Sequence, residues 1–152
     1  MGRIMETLPF EIAETAHALR RAFGRRAAAL GVTGAQWKVL FRLSRMPGMR
    51  QVDLAEALDV EPITLCRIVD RLEAAGLVER VGDPDDRRAW RLHVTAKAVP
   101  LVEQLRALGD VLMGEAFSGI EVAELEQVRR ILARMRENIS GADSNPQLRG
   151  TA

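Results

Sequence analysis

Only three residues, Asp59, Val60 and Glu61, separate two short stretches of helical character, and that spacing narrows the fold more than any other feature of the chain. Upstream, a helix over about Gln51 to Leu58 turns Leu54, Ala55 and Leu58 inward. Downstream, a helix begins with Pro62, whose missing N–H costs nothing in a first turn, and ends at Gly76. Leu72 and Leu77 fall where a Schellman cap sets its hydrophobic contact. This is helix-turn-helix spacing. Leu77 to Val81 and Trp90 to Val94 then read as two strands, the second alternating Trp90, Leu92 and Val94 against Arg91 and His93. A lone two-stranded hairpin is marginal in water, so it is expected to lean on the helices through Trp90 and Leu92.

The flanks are helical. Ile12, Ala16, Leu19, Phe23, Ala27 and Leu30 keep a three-and-four spacing from Phe10 to Leu30, and Gly31 ends it. Thr33, Gly34, Ala35 and Gln36 make a Thr-x-x-Gln capping box for a second helix, which stops near Met46 at Pro47 and Gly48. After the hairpin, Thr95 can cap a fifth helix with the face Leu101, Leu105, Leu108 and Leu112, and Pro100 in its second turn should bend it. A sixth, from about Val122 to Ile139, carries Leu125, Val128, Leu132, Met135 and Ile139 at heptad spacing. The first, fifth and sixth helices all present apolar faces that a small winged domain cannot cover alone. A core stripe within one monomer is the plain reading of the seam. A helical homodimer interface, with Leu19, Phe23, Leu125, Val128, Leu132 and Met135, explains all three faces together. Residues 140–152 read as a loose tail.

The expected architecture is mainly α with a small β-hairpin wing, a winged helix-turn-helix flanked by N- and C-terminal dimerisation helices. Within one domain of residues 1–152, the winged helix-turn-helix core is about 33–95, and the helical region is about 10–31 with 96–139.

Net charge is only +1 over 152 residues, so a polyanionic partner must be argued from arrangement. All basic residues except Lys38 and Lys97 are Arg, a skew that a GC-rich genome produces without any phosphate ligand. One Cys and two His can build neither a disulfide nor a zinc site, which fits a reducing compartment. No apolar run approaches the roughly 18 residues of a membrane span, and no signal-peptide pattern opens the chain; the expected location is cytoplasmic, away from membranes.

Arrangement does point to a polyanion. On the fourth helix Leu65, Ile68, Val69 and Leu72 share an inner face, while Thr64, Arg67 and Arg71 cluster on another. A helix in a DNA major groove meets base edges and phosphates with such a face. The alternative is a solvated face whose Arg residues pair with Asp70 or Glu73. Arg50 stands near the N-cap of the third helix, where the dipole disfavours a cation, and a DNA phosphate held with Gln51 and free backbone N–H groups would remove the conflict. At the hairpin tip, Gly82 to Trp90, Asp83 and Pro84 favour a turn. There Asp86 can orient Arg87 or Arg88 by a charged hydrogen bond, suiting the tip to a narrow, electronegative minor groove.

The segments T-G-A-Q-W-K-V-L at 33–40, D-L-A-E-A-L-D-V-E-P-I-T-L-C-R-I-V-D-R-L-E-A-A-G-L-V-E-R at 53–80 and D-P-D-D-R-R-A-W-R-L-H-V-T at 83–95 resemble the MarR family of bacterial winged-helix regulators, closest to its SlyA-like branch, whose Pro is matched in T-A-K-A-V-P-L at 95–101. The resemblance covers about residues 10–139. It implies a homodimer joined through the first, fifth and sixth helices, with the fourth helix, which carries Pro62, Thr64, Arg67 and Arg71, as the recognition helix and Arg67 as its family arginine, and with the Asp-x-Arg element, here Asp86 and Arg88, on the wing beside Arg87. It also implies a pseudo-palindromic operator, usually repressed, and release by a small aromatic acid or by oxidation. Arg50, Asp59 and Ala98 depart from the common Ser or Thr, Gly and Gly of the family.

An effector pocket is expected between the dimer helices and the winged domain, with His17 and Trp37 as candidates because an aromatic acid needs a polar partner and an apolar wall. Cys66 lies nearer Asp70 and Glu73 than the Arg stripe, which opposes a reactive thiolate, so packing is the simpler role. No phosphate loop, metal-ligand cluster or nucleophile–base pair supports an enzyme; no catalytic residue, cofactor or metal is expected. The rival is a winged-helix protein-interaction module that does not bind DNA.

Overall fold

The computed structural model describes residues 2–143. The elements are α1 Gly2–Ala28, α2 Gly34–Arg45, β1 Met49–Arg50, α3 Gln51–Ala57, α4 Pro62–Ala74, β2 Val78–Gly82, β3 Trp90–Val94, one 3-10 turn Ala96–Ala98, α5 Val99–Ala116 and α6 Val122–Asp143. They divide into two compact units, one up to Met113 and the other from Gly114.

In the first unit the core is where the apolar periodicities meet. Leu40 and Leu43 of α2, Leu54 of α3, Leu65, Val69 and Leu72 of α4, Val78 and Leu92 of the sheet, and Leu105 of α5 are all buried. The capping box forms, with the Gln36 N–H donating to Thr33 Oγ1 at 3.2 Å and the Thr33 N–H to Gln36 Oε1 at 2.9 Å. The end of α4 is a Schellman motif: the Leu77 N–H bonds the Leu72 carbonyl at 2.9 Å and the Gly76 N–H that of Glu73 at 2.8 Å, with Gly76 at φ +71.

The same closure ends α3, and there it involves Asp59. The Val60 and Asp59 N–H groups reach the carbonyls of Ala55 and Glu56 at 3.0 and 3.1 Å, with Asp59 at φ +51. The departure from Gly is therefore a residue in the left-handed region, a conformation that Asp tolerates better than most. Ala98 has a different cause, since it is a fully buried core residue.

Four features differ from expectation. The wing is a three-stranded sheet in the order β1-β3-β2, because Met49 and Arg50 pair antiparallel with Leu92 and Arg91; two residues carry too little pattern to announce a strand. Thr95 stands at the N-cap of the 3-10 turn rather than of α5, and its side chain makes no capping hydrogen bond: its Oγ1 donates to the Gly76 carbonyl at 2.6 Å. The chain makes a 3-10 turn first, so Pro100 is the second residue of α5 and its missing N–H falls in a first turn. Helix α1 starts at Gly2, ahead of Pro9, and α6 runs to Asp143, so the first four residues of the expected tail are helical; residues 144–152 lie outside the described residues.

Candidate nucleic-acid interface

Helix α4 buries Leu65, Val69 and Leu72 and exposes Pro62, Thr64, Arg67 and Arg71. Whether those arginines are free turns on Asp70 and Glu73. Both carboxylates are held by Arg80 of β2, a residue that sequence reasoning missed. Its Nη2 donates to Asp70 Oδ1 at 2.6 Å and its Nη1 to Glu73 Oε2. Its Nε reaches Gln51 Oε1 at 3.2 Å, tying α3, α4 and β2 together. Burial opposes the Arg80 charge, but the hydrogen bonds from Asp70 and Glu73 outweigh it and raise its pKa above the ordinary arginine value. Arg67 and Arg71 form no side-chain hydrogen bond or ion pair among the described residues. The alternative in which they pair with Asp70 or Glu73 does not occur.

At the base of the wing the organising group is Asp83, read from sequence only as a turn former. Its carboxylate is buried and accepts from Arg50 Nε at 2.8 Å, from Arg91 Nε at 3.1 Å and from the Asp85 N–H at 2.9 Å. Arg91 also donates to the Gly48 carbonyl at 3.2 Å. The Asp85 N–H, then Arg50, hold the Asp83 carboxyl below the usual carboxylate range against the opposing effect of burial, and Asp83 in turn raises the Arg50 pKa. The conflict of a cation at the N-cap of α3 is thus met within the chain, by an Asp 33 residues away. No phosphate is required for it.

Asp86 also acts differently from expectation. Its Oδ1 accepts from the Arg88 backbone N–H at 2.9 Å, an Asx turn, rather than from a guanidinium. Arg87 and Arg88 are exposed, without a side-chain partner among the described residues. Trp90 is the largest departure. Leu92 is buried as expected, but Trp90 is 51% exposed, and its cross-strand partner Gly82 has no side chain to cover it.

Between the wing and the starts of α3 and α4 lies a groove of about 370 Å³ that brings together Arg50, Gln51, Pro62, Asp86, Arg88 and Trp90. Thr64, Arg67, Arg71 and Arg87 stand outside it.

A second cavity, of about 700 Å³, lies among α1, α2 and α5. Phe23, Trp37 and Phe41 form its aromatic wall, with ring centroids 5.3 and 5.1 Å apart. Arg45 and Arg106 stand over the Phe41 ring at 5.7 and 5.9 Å, and Arg106 also donates to Ser44 Oγ at 3.1 Å. Trp37 is therefore in a cavity, but His17 is exposed on α1 and lines neither this cavity nor the groove. Phe41 and Arg45, four and eight residues after Trp37, were legible as one helix face; Arg106 was not.

Of the residues expected at a dimer interface, Phe23 spends its ring on Trp37 within the protomer. Leu19, Leu125, Leu132 and Met135 are half-buried, and Val128 is exposed. No described residue of α6 is buried. Cys66 Sγ lies 3.9 Å from Asp70 Oδ2 and from Arg80 Nη2. Among the described residues no group of three or more His, Cys, Asp or Glu could hold a metal, and no helix is long and apolar enough to cross a membrane.

A family model described as MarR family matches residues 30–89. The chain is similar to the solved transcriptional regulator PA3341, with 32% identity, a TM-score of 0.81, and coverage of 88% of this chain and 98% of that one. It is also similar to wild-type MarR from E. coli in its apo form, with 27% identity, a TM-score of 0.75, and coverage of 84% and 95%. A mutant MarR from E. coli complexed with operator DNA matches with 27% identity, a TM-score of 0.76, and coverage of 87% and 96%.

Proposed function

The chain belongs to the MarR family of winged-helix transcription regulators, and from that premise we propose that it is a sequence-specific DNA-binding repressor acting as a homodimer in the cytoplasm. The observation that carries the reading is the outer face of α4, where Thr64, Arg67 and Arg71 are exposed while Arg80 occupies the neighbouring carboxylates. Two unpaired guanidiniums on a helix seated against a sheet are suited to base edges and phosphates of a major groove. Arg87 and Arg88 on the wing are suited to an adjacent minor groove and to the phosphates that border it. Arg50 and Gln51 at the start of α3 would lie along the backbone, Arg50 through its Nη groups.

In this proposal residues 33–95 form the DNA-binding core, and 10–31 with 96–139 the dimerisation region. The half-buried Leu19, Leu125, Leu132 and Met135, with exposed Val128, support a helical interface. A two-fold dimer reads two half-sites about one helical turn apart, hence a pseudo-palindromic operator, as a member of the SlyA-like branch. The cavity walled by Trp37 and Phe41, with Arg45 and Arg106 beside it, fits an aromatic carboxylate that would release DNA.

Selection from random duplexes, followed by salt-titrated anisotropy, tests the reading. A palindromic sequence and a steep salt slope are expected, and Arg67→Ala should cost about 1–3 kcal/mol per lost base contact and relax one position in each half-site. Unchanged specific binding by Arg67→Ala would remove the recognition role of α4, while stable dimers without salt-dependent duplex affinity would favour a protein-interaction module.

A further inference from the structure

Trp90 is left uncovered by its own sheet. Its cross-strand partner in β2 is Gly82, which has no side chain to lay over the indole, and the ring remains half exposed in the groove between the wing and α3. The groove combines two kinds of surface. Arg50 and Arg88 bring cations: Arg50 uses only Nε on Asp83, and Arg88 has no side-chain partner among the described residues. Trp90, Val52 and Pro62 bring apolar area. The one acid of the lining, Asp86, has an oxygen occupied by the Arg88 backbone N–H. Apolar surface flanked by cations matches a nucleic-acid backbone, in which each sugar presents a C–H face between two phosphates.

Resting on the DNA-binding reading above, we propose that this groove seats one sugar–phosphate step of the operator, with Trp90 packed on the deoxyribose and Arg50 and Arg88 toward the flanking phosphates. Trp90 is thereby a further DNA-contact residue, one that fixes where the backbone passes from the helix to the wing. Because the contact is apolar it neutralises no phosphate. It contributes affinity without contributing to the salt slope.

The chain carries a convenient reporter, since Trp37 and Trp90 are its only tryptophans and Trp37 packs against Phe23 and Phe41, outside the groove. Titration with a selected duplex should change the Trp90 emission and reduce its quenching by acrylamide at least about twofold. Trp90→Phe should bind within about threefold of wild type and lack the emission change, and Trp90→Ala should bind about tenfold more weakly at every salt concentration with an unchanged slope. Arg88→Ala is the contrast, since its slope should flatten by about 0.9 per protomer. A duplex that binds by anisotropy but leaves wild-type emission and quenching as in free protein would overturn the contact while the regulator reading stands. A Trp90→Ala slope flattened like that of Arg88→Ala would also overturn it, as the wing would have moved. No salt-dependent duplex binding at all would overturn both.

Discussion

Replacing Arg80 with Ala should weaken DNA binding even though Arg80 is neither on the outer face of α4 nor in the groove beside the wing. Arg80 is only 15% exposed, and its partners Asp70 and Glu73 are 57% and 43% exposed. Removing it does not strand buried charges, since both carboxylates can turn to solvent; the cost is therefore well below the roughly 3–5 kcal/mol of breaking a buried pair and above the ~0–1 kcal/mol of a surface one. We expect about 1–2 kcal/mol, or a Tm lower by about 3–6 °C for a chain of this length. The second effect is electrostatic. Freed Asp70 lies three residues from Arg67, a pairing worth about 0.2–0.5 kcal/mol on a helix surface. DNA must undo it in both protomers of a dimer, so affinity should fall about two- to fivefold at low salt. Thermal melts followed by circular dichroism read the first effect and anisotropy the second. Adding Asp70→Asn to Arg80→Ala should restore the affinity but not the Tm. If Arg80→Ala bound DNA as tightly as wild type, or Asp70→Asn restored nothing, Arg80 would not be what keeps the α4 arginines available.

The Asp83 cluster predicts a pH signature. The folded state holds this carboxyl below its unfolded value, through the Asp85 N–H first and Arg50 next, so its ionised form contributes stability that is present above about pH 4 and is lost as pH falls through the lowered folded value. Urea midpoints of Asp83→Asn should lie below wild type at neutral pH and converge with it in acid; a gap independent of pH would refute the charge argument. Asp59→Gly should stabilise by up to about 1 kcal/mol, because Gly adopts the left-handed conformation of the turn without steric cost. A higher urea midpoint with an unchanged m-value is the expected reading, and a lower one would mean the Asp59 side chain does more than occupy that conformation.

Much of the scaffold was legible because its signals are local. The Thr33–Gln36 box, the three-residue turn after α3 and the Leu72–Leu77 cap each occupy fewer than ten consecutive residues, and each forms. The outer face of α4 was legible for the same reason, since helical period alone separates Arg67 and Arg71 from Leu65, Val69 and Leu72. The availability of those arginines was not. It depends on Arg80, ten residues beyond Asp70 on another element, just as the pairing of Arg50 depends on Asp83 and the start of the wing depends on Met49 and Arg50 finding β3. A charge count along the chain treats every Asp beside an Arg as its partner, whereas folding assigns partners by the sheet. Once β2 sets Arg80 against the carboxylate side of α4 and β3 sets Arg91 beside Asp83, the cations without partners on the face of α4 and on the wing are those the strands leave unclaimed: Arg67, Arg71, Arg87 and Arg88.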